Sequence, residues 1–230
     1  MLNFNFETEI DDPKNLKLIV PIYFYPNYDD LQWNRVASVA QKIKTIAIVG
    51  DENEKSIEKP NDNYVKSIKK LKSAGVEIIG HVNTQGRNYN QIKTDIKSYF
   101  AWDIQIRPNG IFLKGQIENL KELQEYVANN FGKDTKIIST DSKADNRKFS
   151  NYPIESFQMT SQSNKVEKIA FIRNLKNETE LENVIQKVKE SDIRYIYLTD
   201  KSDFKSLPTS TYFDKEIKIL ESEQRKISLF

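Results

Sequence analysis

Short apolar runs rich in β-branched residues alternate with amphipathic stretches along most of the chain. The runs are "LKLIVPIYFYP" (16–26), "TIAIVG" (45–50), "VEIIGHV" (76–82), "GIFL" (110–113), "TKIIS" (135–139), "YPIESFQM" (152–159), "KIAFIR" (168–173) and "RYIYLTD" (194–200). Near-continuous apolar runs of this length suit strands of a parallel sheet covered on both faces. Between them the apolar spacing turns helical. Val65, Ile68 and Leu71 share one face, with Gly75 as a stop signal. Ile92, Ile96, Tyr99 and Phe100 mark a second helix. Ile117, Leu120, Leu123, Val127 and Phe131 mark a third, closed by Gly132. Leu181, Val184, Ile185 and Val188 mark a late one, for which Asn177 and Glu180 can form a capping box.

This alternation predicts an α/β protein, a compact (β/α)8 TIM-type barrel in a single domain over residues 1–230, near the small end of that fold's range. An open doubly wound sheet is the alternative. Residues 1–15 read as an N-terminal extension and 221–230 as a C-terminal tail.

Composition narrows the chemistry. With 38% hydrophobic and 30% charged residues, the chain can build a core and stay soluble. The net charge is +2 and the charges are interleaved, which argues against a nucleic-acid partner. There is no cysteine, so disulfides, thiolate metal sites and thiol nucleophiles are excluded. A single histidine, His81, excludes a multi-histidine metal site. No phosphate-binding glycine motif occurs, and no cofactor is expected. The N-terminus lacks the pattern of a signal peptide and no run is long enough to span a membrane. A cytoplasmic location is expected for the chain as it stands. A secreted or surface location would require a leader removed beforehand.

In a barrel of this kind the site lies at the C-terminal ends of the strands. The residues there are Tyr25, Pro26 and Tyr28; Asp51 and Glu52; Asn83, Thr84, Gln85 and Arg87; Lys114 and Gln116; Thr140 and Asp141; Gln158; Asn174; and Thr199, Asp200 and Lys201. Polar groups with aromatics among them suit a sugar, whose ring stacks on aromatic faces while its hydroxyls take side-chain hydrogen bonds. His81, inside the third run, reads as a packed, hydrogen-bonded core histidine. Lys114 reads as a solvated lysine or the ion-pair partner of Asp141 or Glu52, the alternative being a Schiff-base nucleophile.

The order of pieces carries a further signal: "IVPIYFYP", Trp33, "IAIV", Tyr64, "LKSAGVEIIGHVNTQGRNYNQIKTDIKSYFAW", "NGIFLKG", "YIYLTD" and "LPTSTYFDKEI". This series resembles the spherulation-specific family 4 proteins over about residues 17–217, most specifically from Ala74 to Phe112. The resemblance implies a small (β/α)8 glycoside hydrolase that cuts amino-sugar polymers such as galactosaminogalactan. It also implies an Asp–Glu pair after the G-I-F strand and a further Glu at the end of a later strand. Laid on this sequence, those positions fall on Lys114, Gly115 and Gln158. Asp51 and Asp141 stand where the family carries asparagines.

Glycoside hydrolysis needs a carboxylic acid and a second carboxylate about 5 to 10 Å apart, and neither lysine, glycine nor glutamine can replace them. Three readings follow. The first is an inactive relative that binds a polysaccharide or oligosaccharide through Tyr25, Thr84, Arg87, Lys114 and Gln158. The second is an active glycosidase with a relocated acid pair drawn from Asp51, Asp141 and Asp200. The third is an interaction scaffold, in which the apolar tail "KISLF" docks on a protein partner or a second copy. If the sixth strand shifts by two or three residues, Glu155 replaces Gln158 and one carboxylate returns.

Overall fold

The computed structural model describes residues 15–27, 30–161 and 166–227, with side chains as far as Ser222. Tyr28 and residues 1–14 lie outside it, as do the side chains of the tail "KISLF". Eight strands close into one barrel in chain order: β1 (Lys17–Ile22), β2 (Thr45–Val49), β3 (Glu77–Asn83), β4 (Gly110–Lys114), β5 (Lys136–Thr140), β6 (Ile154–Thr160), β7 (Glu167–Ile172) and β8 (Ile193–Leu198). Around it run α1 (Leu31–Ala40), α2 (Asp62–Ser73), α3 (Tyr89–Phe100), α4 (Leu120–Phe131), α5 (Glu178–Lys189) and α6 (Ser210–Ile227). The single-domain TIM-type barrel expected from the alternation is present.

It departs from eight repeated strand–helix units at one place. Strand β6 runs antiparallel to both β5 and β7. A parallel crossover needs a dozen or more residues, usually a helix. The link from β6 to β7 covers only residues 161–166, so those two strands can pair only as a hairpin. The β5–β6 link carries a single 3₁₀ turn, Arg147–Phe149, in place of a helix. Among the described residues no α-helix follows β5 or β6, and a cleft of about 300 Å³ opens between α4 and the end of β6, lined in part by Gln124, Ala128, Thr160 and Val166.

The helices start where polar caps allow. Asp30, Asn61 and Asn177 accept backbone N–H bonds from the first turns of α1, α2 and α5, and Asn88 with Gln91 completes a capping box on α3. At α5 only half of the expected box forms, because Glu180 accepts from the backbone of Lys176 rather than of Asn177.

Helix and strand are locked together most visibly at α3. Gly80 faces outward, and a Cβ there would lie 2.7 Å from the ring of Tyr99. The Tyr99 hydroxyl lies 3.0 Å from the carbonyl of Val49 and 2.9 Å from that of His81, and accepts from the backbone N–H of Ile57. Toward the mouth, the barrel interior is aromatic. Phe112 contacts Phe157 and Phe171, and Phe171 contacts Tyr197. These inward rings are within 3% of full burial.

Candidate functional site at the barrel mouth

Seven strands present their C-terminal ends to the mouth. Because β6 is reversed, it presents its beginning. Ile154 and Glu155 pair with Ile172 and Phe171, at the top of β7, whereas Gln158 pairs with Ser139 and Lys168, lower down the wall. Phe157 and Met159 are buried, and Phe157 meets Phe112 and Phe171 inside the barrel. Side chains alternate along a strand, so Glu155 shares the inward face with Phe157 while Gln158 points outward. The structure therefore brings Glu155, and not Gln158, to the mouth, because the strand reaches it at its start.

Lys114 closes β4 at the mouth. Its ammonium lies 2.5 Å from Glu54 Oε2, each side chain 28% exposed. The partner is neither Asp141 nor Glu52, the expected ones. Glu54 belongs to the β2–α2 loop and has φ 56, in the left-handed region. Across the mouth Arg173, just beyond β7, pairs with Glu155 at 3.2 Å. Between the two pairs sits Phe204, from the link between β8 and α6. Lys114 lies 5.7 Å and Arg173 5.3 Å from its ring centroid.

Gly115 follows at φ 120, and a Cβ there would lie 2.7 Å from Thr84 Oγ1. Thr84 is buried and its hydroxyl donates to the carbonyl of Lys114, with that of Gln116 at 3.3 Å. It holds the end of β4. Arg87, the other polar residue expected to touch ligand, makes a two-pronged bond to Asp95 on α3, at 2.5 and 2.9 Å. Burial pushes the Asp95 carboxyl up, but hydrogen bonds from Arg87 and Ser56 outweigh it and hold the group below its ordinary range. The motif residues Arg87, Asp95 and Tyr99 therefore serve the scaffold beside the mouth.

The three candidate acids are occupied by backbone. Asp51 Oδ1 accepts from the N–H groups of Asn53 and Lys55, shaping the turn that carries Glu54. Asp141 Oδ1 accepts from Lys143 N–H, and Asp200 Oδ1 from Thr209 N–H. Tyr25 is 37% exposed on the rim, its hydroxyl held by the side-chain amides of Asn61 and Asn63 and its ring edge-on to Tyr64.

Beneath the ion pairs, the Tyr23 hydroxyl and His81 Nδ1 are 2.7 Å apart. His81 is fully buried. Burial, helped by the Lys114 charge, lowers the imidazole pKa to about 3, with the Glu54 backbone acting weakly in the other direction. Burial first, then the charges of Glu54 and Glu155 among its neighbours, pushes the Tyr23 phenol well up. Both mouth carboxylates thus act on the same buried hydroxyl.

Glu54 and Phe204 escape a reading by strand ends, since both come from within loops. Arg173 does not escape for that reason: it closes the run "KIAFIR", but Asn174 reads as the strand end. The left-handed turn at Glu54 is not flagged by a glycine or asparagine at that position.

A closed α/β barrel with a charge-paired, aromatic-floored mouth is the class that fold and site define. The chain belongs to spherulation-specific family 4, whose model matches residues 17–143. Spherulin-4 of Physarum polycephalum is 31% identical over 115 residues, which is 49% of this chain and 33% of that protein. The match thus spans about a third of the relative's length. Among solved structures, Sph3 of Aspergillus clavatus, crystallised in complex with GalNAc, superposes with a TM-score of 0.68 over 90% of this chain and 98% of its own, at 17% identity. That likeness shows the shared barrel.

Proposed function

We propose that this chain is a carbohydrate-binding member of its family that has lost hydrolysis, and that its ligand is an amino-sugar polymer held at the barrel mouth. The observation that carries the reading is the Lys114–Glu54 pair. At the strand end where the family resemblance puts a carboxylate, this chain holds an ammonium, and it is already bound to an acid. An ammonium there opposes the positive charge that develops on the sugar ring during cleavage. The next family position, Gly115, has no functional group and no room for one beside Thr84. Asp51, Asp141 and Asp200 are engaged by backbone N–H groups, which speaks against their service as a relocated acid pair.

What remains suits binding. Glu54, Lys114, Glu155 and Arg173 offer donors and acceptors around aromatic rings, the combination that holds a pyranose. The bound GalNAc of the Aspergillus protein, on the same fold, makes N-acetylgalactosamine the first sugar to test. The exposed large apolar residues Tyr25, Leu31, Ile104 and Val166 sit on separate elements, which gives a scaffold role less support.

The test pairs a reducing-end release assay on α-1,4-linked galactosamine and N-acetylgalactosamine polymers with calorimetric titration of their oligosaccharides. Binding without turnover is expected. Turnover that Glu54→Gln or Glu155→Gln abolishes would overturn the reading and make those two residues an acid pair.

A further inference from the structure

Phe204 belongs to no strand or helix, yet it is only 3% exposed. Its ring packs against Phe171 and Tyr197, with centroids 5.5 and 5.8 Å away, and two cations flank it. A loop residue therefore fills the centre of the mouth.

The loop that carries it is pinned at both ends and lightly held between. Asn174 N–H donates to the carbonyl of Lys201, Leu207 N–H to Gln32 Oε1 and Thr209 N–H to Asp200. Among the described residues, 202–208 make no backbone–backbone hydrogen bond. The middle is held by Phe204 itself, by the Arg173 guanidinium donating to Ser202 O at 2.8 Å, and by a long 3.5 Å contact from the Tyr197 hydroxyl to Ser206 O. Leu207, also buried, secures the end next to α6, so the stretch free to move is 202–206, and a segment with few backbone bonds and one apolar anchor opens at low free energy.

We propose that Phe204 is a gate standing where a sugar ring docks, so that ligand binding requires the 202–206 segment to swing outward. The inference rests on the reading of the mouth as a carbohydrate site. Withdrawing Phe204 would vacate a space about one six-membered ring across. Its floor is Phe171 and Tyr197, which suits the C–H face of a pyranose. Its walls are the Lys114–Glu54 and Arg173–Glu155 pairs, which suit the hydroxyls. Withdrawal also frees the Arg173 donors now spent on Ser202.

A gate closed most of the time weakens apparent affinity by the open fraction. Isothermal titration of an α-1,4-linked N-acetylgalactosamine tetrasaccharide into wild type and Phe204→Ala should show about tenfold tighter binding by the variant, for a gate open about a tenth of the time. Binding by the variant alone supports the gate as well. Unchanged affinity overturns it, and weaker affinity makes Phe204 a stacking platform instead. Ring-to-ring NMR contacts in the wild type are independent of whether the variant folds. The contacts of the Phe204 ring with Phe171 and Tyr197 should be lost when the tetrasaccharide is saturating, and their persistence overturns the gate. If wild type binds while affinity and ring contacts ignore Phe204, the mouth reading stands and the gate falls. If neither protein binds, both fall.

Discussion

Lys114 and Glu54, sixty positions apart in sequence, meet at 2.5 Å over the barrel mouth, and the turn that delivers Glu54 does so in a left-handed backbone conformation. Non-glycine residues in that region are held at a cost of about 1–3 kcal/mol and cluster at sites where a side chain must be aimed. Asp51 provides the hold here, accepting two N–H bonds within the same turn.

The pair itself contributes little to folding, because both side chains are partly exposed. Lys114→Met should cost at most about 1 kcal/mol in urea unfolding. The difference from wild type should shrink in about 1 M salt, where the Debye length falls to about 3 Å. A cost well above this would mean that Lys114 is a structural keystone and not a mouth residue.

Placing a glutamate next to it, where the family resemblance implies one, should fail structurally. Gly115→Glu puts a Cβ against Thr84 at φ 120, and the backbone penalty alone is about 1–3 kcal/mol. Thr84→Ala in the same chain should relieve only the steric part. Thermal melts of the two variants would show it, and a Gly115→Glu protein as stable as wild type would refute the assignment of Gly115 to conformation.

Arg87 should prove a scaffold residue. Arg87→Gln leaves Asp95 without its charged partner and should cost about 1.5–3 kcal/mol, the usual value for hydrogen bonds to charged groups. Asp95 has a lowered pKa when folded, so its contribution is present above the ordinary value of 3.8 and is lost as pH falls through the folded value. The gap between wild type and variant should therefore be full at pH 7 and close below about pH 4. Sugar affinity per folded molecule should not change.

Two buried groups set opposite pH limits. His81, the only histidine, has a folded pKa near 3 against an ordinary 6.5, so stability falls as pH drops below 6.5. Its ring signals should stay those of a neutral imidazole from pH 8 to pH 5, in a spectrum with one histidine to assign. Glu216, on α6, is fully buried, and burial raises its pKa well above 4.5, with a hydrogen bond from the Leu198 backbone acting the other way. Its neutral form is the folded one, so its contribution is complete below 4.5 and is lost as pH rises toward the folded value. Glu216→Gln should therefore be increasingly more stable than wild type as pH rises above 4.5, by at most about 1.4 kcal/mol per pH unit. A constant offset across pH would show the carboxyl to be ionised in place.

The barrel was legible because seven of its strands are parallel and buried on both faces, and so spell near-continuous apolar runs between helical ones. The direction of β6 was not, since a strand reads the same in either sense. The clue lay in the short link 161–166, not in the run itself. From that one reversal came the misplacement of Gln158. The stretch from Ala74 to Phe112 was legible as a family signature, but not that Thr84 bonds to the end of β4 and Arg87 to Asp95 on α3. Glu54 and Phe204 depend on loop paths, and nothing in local spacing announces where a loop's tip will land. "KISLF" falls beyond the described side chains.

The reversed strand has a consequence for redesign. Since β5 ends at the mouth and β6 begins there, residues 141–153 leave from and return to the same rim, carrying Asp141 at one end and delivering Glu155 just past the other. In a barrel of repeated strand–helix units, two neighbouring rim positions are separated by a helix and a turn on the far side. Here a single contiguous cassette governs both. Exchanging it with that of another family member would transplant the link between two of the eight rim positions in one step, without cutting into any turn at the opposite end of the molecule.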